Sequence, residues 1–213
     1  MIIITVVIVI FSIILHEVAH GVVANWLGDP TAKYAGRLTL NPLPHIDPIG
    51  SLLLPGLAVI TQSPFLLGWA KPVPINPYNI RAPWGLPAQA GEALVAFAGP
   101  GTNILIAIIA ALLLRIPALQ TPEVMGIVVM VVIANLSLAI LNLIPIPPLD
   151  GSKIVAAVLP YQLERQYRQL EAWTYALGPF GLLIVLIVIV NLLSGPMSAL
   201  ISYFFRLLTG YAI

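Results

Sequence analysis

The sequence contains no cysteine and very few charged residues. Its 213 residues include nine Lys and Arg, eight Asp and Glu and three His, so 8% of the side chains are charged, against about 25% in a typical soluble domain. The lack of cysteine excludes disulfides, thiolate nucleophiles and cysteine-based metal sites, so a metal would have to bind nitrogen and oxygen. No basic run could follow a nucleic-acid backbone, and nucleic acid is not expected as a partner.

Apolar residues dominate what is present, at 60% of the chain. Several apolar stretches approach or exceed the roughly 20 residues that a helix needs to cross a bilayer. The composition predicts a single integral membrane domain over residues 1–213, all-α and polytopic, in contact with the lipid bilayer. The predicted spans are residues 2–27, 91–115, 122–144 and 174–194. The first of these lacks a basic leading region, so we expect it to remain in the mature protein.

The segments between these spans have other patterns. Residues 51–67 are apolar but interrupted by two prolines and a glycine, which predicts a re-entrant segment. Residues 153–173 carry most of the late charges and are typical of an interfacial helix. Residues 36–40 and 68–76 are predicted to be extended and to form a small membrane-embedded β element. The tail from residue 196 is expected to be amphipathic or loosely membrane-associated.

The motif HEVAH lies inside the first predicted span. In a helix, His16 and His20 are one turn apart, about 6 Å along the axis, so both imidazoles can bind one metal, with Glu17 beside them. This is the HExxH pattern, in which two His hold zinc and the Glu accepts a proton from the metal-bound water. Ionisable side chains at bilayer depth are costly, and binding of one Zn²⁺ per chain would offset that cost.

A catalytic zinc site needs a third protein ligand, and Asp150 is the candidate. It ends the proline-rich stretch NLIPIPPLDG after an apolar span, where the prolines prevent an ordinary helix and can redirect the carboxylate. The alternative interpretation is that Asp150 caps a helix beginning near Ser152. Glu92 and Glu123 are the other carboxylates that could complete a zinc site.

HEVAH together with NLIPIPPLDG resembles the site-2 protease family of intramembrane metalloproteases, peptidase family M50. The segments AGPGTN (98–103) and GWAKPVPIN (68–76) are also similar to that family. The resemblance implies that His16, His20 and Asp150 bind zinc, with Glu17 as the general base. It also implies that the substrate is a transmembrane segment of another protein. Many members carry PDZ or CBS domains, and we expect a minimal form without either.

Four residues are candidates for binding substrate. Asn142, eight residues before Asp150, could donate its amide to the substrate backbone or to a developing oxyanion. The predicted strand edge could bind an extended substrate by β-augmentation, as the resemblance also implies. In that edge the candidates are Trp69, Lys71 and Val73.

Two further polar residues receive structural interpretations. Asn103 is expected to pack helices together, with glycines beside it allowing close approach. His45 is interpreted as a loop histidine rather than a metal neighbour or a proton donor to the leaving amine.

The ligands must meet on one side of the membrane, which constrains the topology. Residues 91–115 must lead outward and 122–144 must return, so residues 51–67 should not cross. Most Lys and Arg residues would then face the cytosol, as positive residues prefer. We expect an N-terminus outside, and an active site opening to the cytosol of a prokaryotic cytoplasmic membrane.

Two other functions remain open on the sequence. One is a membrane-anchored zinc protease acting on juxtamembrane or soluble peptides, with Glu92 or Glu123 as the third ligand. The other is a non-catalytic metal-binding membrane protein or transporter, in which HEVAH lines an ion path.

Overall fold

The computed structural model describes residues 2–61 and 68–211, which are mostly helical with irregular connecting segments. In chain order the α-helices are α1 (Ile2–Trp26), α2 (Thr31–Tyr34), α3 (Leu54–Ile60), α4 (Ala88–Leu113), α5 (Pro122–Asn142), α6 (Asp150–Ala156), α7 (Tyr161–Ala176) and α8 (Pro179–Thr209). A π-helix covers Pro48–Leu53, and short 3-10 turns cover Leu43–His45, Pro77–Asn79, Pro83–Gly85 and Pro117–Leu119.

Four of these helices, α1, α4, α5 and α8, are long and apolar enough to cross a membrane. The shortest has 21 residues, which at a rise of 1.5 Å per residue gives about 31 Å, the thickness of the hydrocarbon layer. The prediction of an all-α protein with four membrane-spanning helices is confirmed.

Helix α4 lies at the centre and contacts α1, α5, α6 and α8. Its buried residues are mostly small and recur every three or four positions, which brings neighbouring backbones close. They are Gly91, Val95, Ala96, Gly99, Pro100, Asn103, Ala107, Ala110 and Ala111. The end of this stripe packs against Val128, Val132 and Leu136 of α5 and against Phe205 of α8.

Two predicted boundaries were wrong. The last span does not end near residue 194, because α8 continues through Pro196 to Thr209. Phe205, only 1% exposed, joins the α4–α5 core and anchors that extension. The interfacial helix predicted over 153–173 is instead two helices, α6 and α7, separated at Pro160. A proline at that position cannot donate a backbone hydrogen bond and disfavours helix at the residue before it.

The re-entrant segment predicted over 51–67 is not confirmed. Its first part forms the π-helix and then α3, and residues 62–67 lie outside the described residues. Together the π-helix and α3 cover residues 48–60, about 20 Å of helix, which is too short to cross a bilayer.

The β element was wrong for the residues that the structure describes, since neither 2–61 nor 68–211 contains a strand. The second candidate, residues 68–76, is an irregular connecting segment, and its N–H groups bond to other parts of the fold. The N–H of Lys71 donates to the His45 carbonyl, and that of Asn76 donates to the buried Asp29 carboxylate. Pro72 and Pro74 have no N–H, so a continuous ladder cannot form.

The end of α1 and the start of α4 lie on the same side of the helix bundle. Ala24 and Leu27 pack against Ile80 and Val95, and the Arg81 N–H donates to the Leu27 carbonyl at 2.8 Å. The 60 or so residues between these helices therefore leave and return on one side. This arrangement agrees with the expectation that residues 51–67 add no net crossing.

This sidedness predicts the outcome of cysteine labelling, for which the natural sequence offers a cysteine-free background. Single cysteines replacing the exposed residues Lys33 and Arg81 should react with an impermeant maleimide from the same side of the membrane. A cysteine replacing exposed Arg115, at the far end of α4, should react only from the opposite side. Labelling of positions 33 and 81 from opposite sides would contradict this fold.

Candidate metal centre

Three atoms that can bind a metal, from two distant parts of the chain, lie close together. The Nε2 atoms of His16 and His20 lie 3.0 Å apart. The Oδ2 atom of Asp150 lies 3.2 Å from the first and 3.3 Å from the second. Within the part of the chain that the structure describes, these three side chains form a group that could hold a metal ion.

The outer nitrogen of each imidazole is already committed as a donor. His16 Nδ1 lies 2.6 Å from Asn103 Oδ1, and His20 Nδ1 lies 2.7 Å from the Val95 carbonyl oxygen. Oxygens of this kind only accept hydrogen bonds, so both Nδ1 atoms carry the proton. Both Nε2 atoms of the neutral rings therefore present lone pairs, and they face each other and the carboxylate.

This donor set fits a zinc ion. Asp150 Oδ2 is buried and has no hydrogen-bond partner within the described residues, so three unprotonated acceptors converge on one point. Around a tetrahedral zinc with bonds of 2.0–2.2 Å, neighbouring ligand atoms lie about 3.3 to 3.6 Å apart. The observed separations of 3.0 to 3.3 Å lie at or slightly below the short end of that range. Three protein ligands are also the number that a catalytic zinc site uses.

Asp150 reaches the histidines because helix α6 starts on it. Its carboxylate is not a cap, since the N-cap residue is Leu149 and no side-chain capping hydrogen bond is formed. The capping interpretation was therefore wrong. Gly151 allows the turn after α5, because a Cβ there would lie 2.3 Å from the Leu143 carbonyl oxygen.

Gly99 lets α4 pass directly against the Nε2 edges of the two imidazoles. A Cβ at this position would lie 2.4 Å from His20 Nε2 and 2.6 Å from His16 Cε1. Real Cβ atoms do not approach this closely, so any larger residue would displace the histidines. Gly99 is thus part of the wall of the site.

Glu17 is half-buried and lines the same cavity, whose volume is about 660 Å³. Its Oε2 atom accepts a hydrogen bond of 2.9 Å from the N–H of Val73. The connecting segment 69–76 thereby holds the carboxylate in place at the metal centre. The other carboxylate oxygen remains available to accept a proton.

The predicted substrate-binding residues divide into two groups. Trp69, Val73 and Asn142 line the cavity, whereas Lys71 is exposed and is not among the lining residues. The side-chain amide of Asn142 donates to the Leu138 carbonyl of its own helix at 3.0 Å.

The alternative third ligands do not approach the histidines. Glu92 lines the cavity but pairs with Arg168 at 3.3 Å. Glu123 lies in the first turn of α5, at the opposite end from Asn142. His45 is buried in a loop, where its Nε2 donates to the Thr39 carbonyl at 3.0 Å, in agreement with its interpretation as a loop histidine.

Two polar residues at the site were not identified from the sequence. Asn103 was interpreted as a packing residue, yet it contacts His16 directly. Lys153 lines the cavity one helical turn after Asp150, a spacing that could have identified it. Burial alone would lower the pKa of Lys153, but its electrostatic attraction to Tyr175, Asp150, Glu171 and Glu17 raises it. The ammonium group therefore stays protonated in the cavity.

Comparison with known proteins gives a consistent result. Residues 117–188 match the model of peptidase family M50. Relatives named "Putative zinc metalloprotease" include YwhC of Bacillus subtilis (strain 168), which is 35% identical over 78% of this chain and 74% of YwhC. Rip2 of Mycolicibacterium smegmatis is 28% identical over 93% of this chain and 68% of its own length. Rip2 of Mycobacterium tuberculosis (strain ATCC 25618 / H37Rv) is 33% identical over 66% of this chain and 51% of its own length.

No solved structure matches the chain. The match to YwhC extends over most of both proteins, and the apolar helices α1, α4, α5 and α8 belong in a membrane. The resemblance to the site-2 proteases is thus confirmed: the chain belongs to peptidase family M50 and is a zinc-dependent protease integral to a membrane.

Proposed function

We propose that this protease is an intramembrane endopeptidase that cleaves transmembrane segments of other membrane proteins, with zinc held by His16, His20 and Asp150. The depth of the site carries this proposal. His16 lies near the middle of the span Ile3–Trp26, about 15 Å of helix from its end at Trp26. A peptide must enter the membrane layer to reach a centre at that depth.

The same depth argues against a protease of soluble or juxtamembrane peptides. Such an enzyme would need its metal ligands at or beyond a helix end, where Glu92 or Glu123 would be suitable partners. Glu92 is instead paired with Arg168, and Asp150 lies at the two histidines.

The chain's own residues suit peptide hydrolysis. A bound zinc would supply Lewis-acid chemistry, polarising the scissile carbonyl and making a water more acidic. Glu17, oriented by the Val73 N–H, takes a proton from the attacking water and returns it to the departing amide nitrogen. The Lys153 ammonium in the same cavity favours the negative charge that develops on the carbonyl oxygen.

Substrate would bind in an extended form beside residues 69–76. The carbonyl groups of Pro72 and Pro74 accept no hydrogen bond from the described residues, so they are available to an unfolded substrate backbone. Trp69, Val73 and Asn142 would contact the peptide from the cavity wall, and Lys71 would act at its exposed margin.

The site would open to the cytosol of a prokaryotic cytoplasmic membrane. The end of α1, the start of α4 and Asp150 share one side of the bundle. That side carries Lys33, Arg37, Lys71, Arg81, Lys153, Arg165 and Arg168, in keeping with the preference of positive residues for the cytosol.

Replacing the proposed base tests the reaction and its location. Glu17→Gln should retain zinc but lower cleavage by about 10²-fold or more, because the amide cannot accept the proton. Each variant would be expressed in a host cell. New peptide termini in the host's membrane proteins would then be mapped by mass spectrometry. With the wild type, the termini should fall inside transmembrane segments; with Glu17→Gln they should be absent.

Glu123→Gln, the same change at the distant end of α5, is the control and should cleave like the wild type. Termini confined to soluble loops would contradict the intramembrane proposal. Undiminished cleavage by Glu17→Gln would contradict the assignment of the base.

Gly99→Ala tests whether the donor geometry is the zinc site. The new methyl group would displace both imidazoles, so zinc affinity should fall at least tenfold while the helical circular dichroism persists. Gly101→Ala is the matched control in the same helix, where a Cβ meets only the edge of the Phe97 ring at 3.2 Å. Equal zinc affinities of the two variants would count against the proposed site.

A further inference from the structure

A buried chain of polar side chains leads away from His16 across three helices. Ser12 of α1, Asn103 of α4 and Asn135 of α5 are 4%, 0% and 0% exposed. Asn135 Nδ2 donates to Ser12 Oγ at 3.0 Å, and Asn103 Nδ2 donates to Asn135 Oδ1 at 2.8 Å. Asn103 Oδ1 then faces His16 Nδ1 at 2.6 Å. The chain thus connects α5 to a proposed zinc ligand.

The direction of these hydrogen bonds is fixed at the end far from the metal centre. Asn135 Nδ2 lies 2.9 Å from the Val131 carbonyl oxygen, which can only accept. The amide of Asn135 must therefore turn its NH₂ group towards Val131 and its oxygen towards Asn103. That oxygen accepts a hydrogen bond from the NH₂ group of Asn103. The same NH₂ group also donates to the Ser12 carbonyl at 3.3 Å.

One orientation of Asn103 follows, and with it one tautomer of His16. The oxygen of Asn103 must face the imidazole, so His16 carries its proton on Nδ1 and leaves the Nε2 lone pair for the metal. If the Asn103 amide were reversed, its NH₂ group would favour a lone pair on Nδ1 and a proton on Nε2. A neutral imidazole in that form cannot bind a metal through Nε2.

We propose that Asn135 is a positioning residue of the metal centre: through Asn103 it fixes the tautomer of His16 that can bind zinc. This inference rests on the proposed ligand role of His16. It assigns to α5 a function beyond delivering Asp150, because the same helix then controls two of the three ligands.

A purely structural role would give a different result in one designed pair of variants. Asn135→Leu removes the closer of the two acceptors that orient the Asn103 amide, leaving the Ser12 carbonyl at 3.3 Å, and keeps a similar shape in an apolar layer. Asn103→Asp places a carboxylate beside His16, and both of its oxygens accept, so no orienting partner is needed. The double variant should therefore regain zinc affinity if orientation is the function of Asn135. If helix packing were its function, a second polar change would not restore anything.

The test measures zinc affinity in detergent by competition with a fluorescent chelator, and the visible spectrum of the Co²⁺-substituted proteins. Asn135→Leu should weaken zinc binding by about 10- to 100-fold and alter the Co²⁺ spectrum. The Asn103→Asp/Asn135→Leu variant should recover most of that affinity. Asn135→Ala is made in parallel in case the leucine variant does not fold.

Asn191→Ala is the matched control. Its Nδ2 donates to the Ile187 carbonyl of its own transmembrane helix at 2.8 Å, as Asn135 does to Val131, but it lies on the exposed face of α8. It should leave zinc affinity unchanged.

Wild-type zinc affinity in the Asn135 variants, or a loss that Asn103→Asp does not recover, would overturn the inference while leaving the proposed function intact. A His16→Ala variant that binds zinc as tightly as the wild type would overturn the ligand set and this inference together.

Discussion

Three hydrogen-bond acceptors converge inside an apolar layer, and the rest of the structure depends on that convergence. His16 Nε2, His20 Nε2 and Asp150 Oδ2 lie within 3.3 Å of one another, although two lone pairs and a carboxylate repel at such distances. In a bilayer little water is present to screen them, so each unpaired polar group is costly. A cation at their centre reverses the sign of the interaction. The surrounding helices hold the three atoms at this spacing.

Close backbone approach and internal hydrogen bonds make this possible. Gly99 allows α4 to lie against both imidazoles, and Gly151 allows the turn that carries Asp150 to fold back on the end of α5. Asn103 and the Val95 carbonyl saturate the outer imidazole nitrogens. The two hydrogen bonds satisfy polar groups within the protein, as the membrane requires. Together with the two close backbone approaches, they also fix the positions of the metal-binding atoms. Stability in the bilayer and preparation for metal binding therefore arise from the same contacts.

The sequence predicted the metal-binding residues well, but it predicted the residues around them less well. His16 and His20 follow from helical spacing. Asp150 was favoured by its place in a proline-rich stretch after an apolar span, together with the need for a third ligand. The contact of Asn103 with His16 could not be foreseen, because the pattern of α4 does not reveal which neighbour its polar residue faces. Residues 69–76 alternate like a strand, but their N–H groups bond to Glu17, Asp29 and a loop carbonyl. The packing of Phe205 against α4 and α5 likewise stabilises the part of α8 that follows Pro196.

The most direct test of the account is a crystal structure of the zinc-loaded protein with anomalous data collected at the zinc edge. The account predicts one anomalous peak per chain, 2.0–2.2 Å from His16 Nε2, His20 Nε2 and Asp150 Oδ2, with Asn103 Oδ1 still on His16 Nδ1. A peak bound by Glu92 or Glu123 in place of Asp150, or one coordinated through His16 Nδ1, would contradict it.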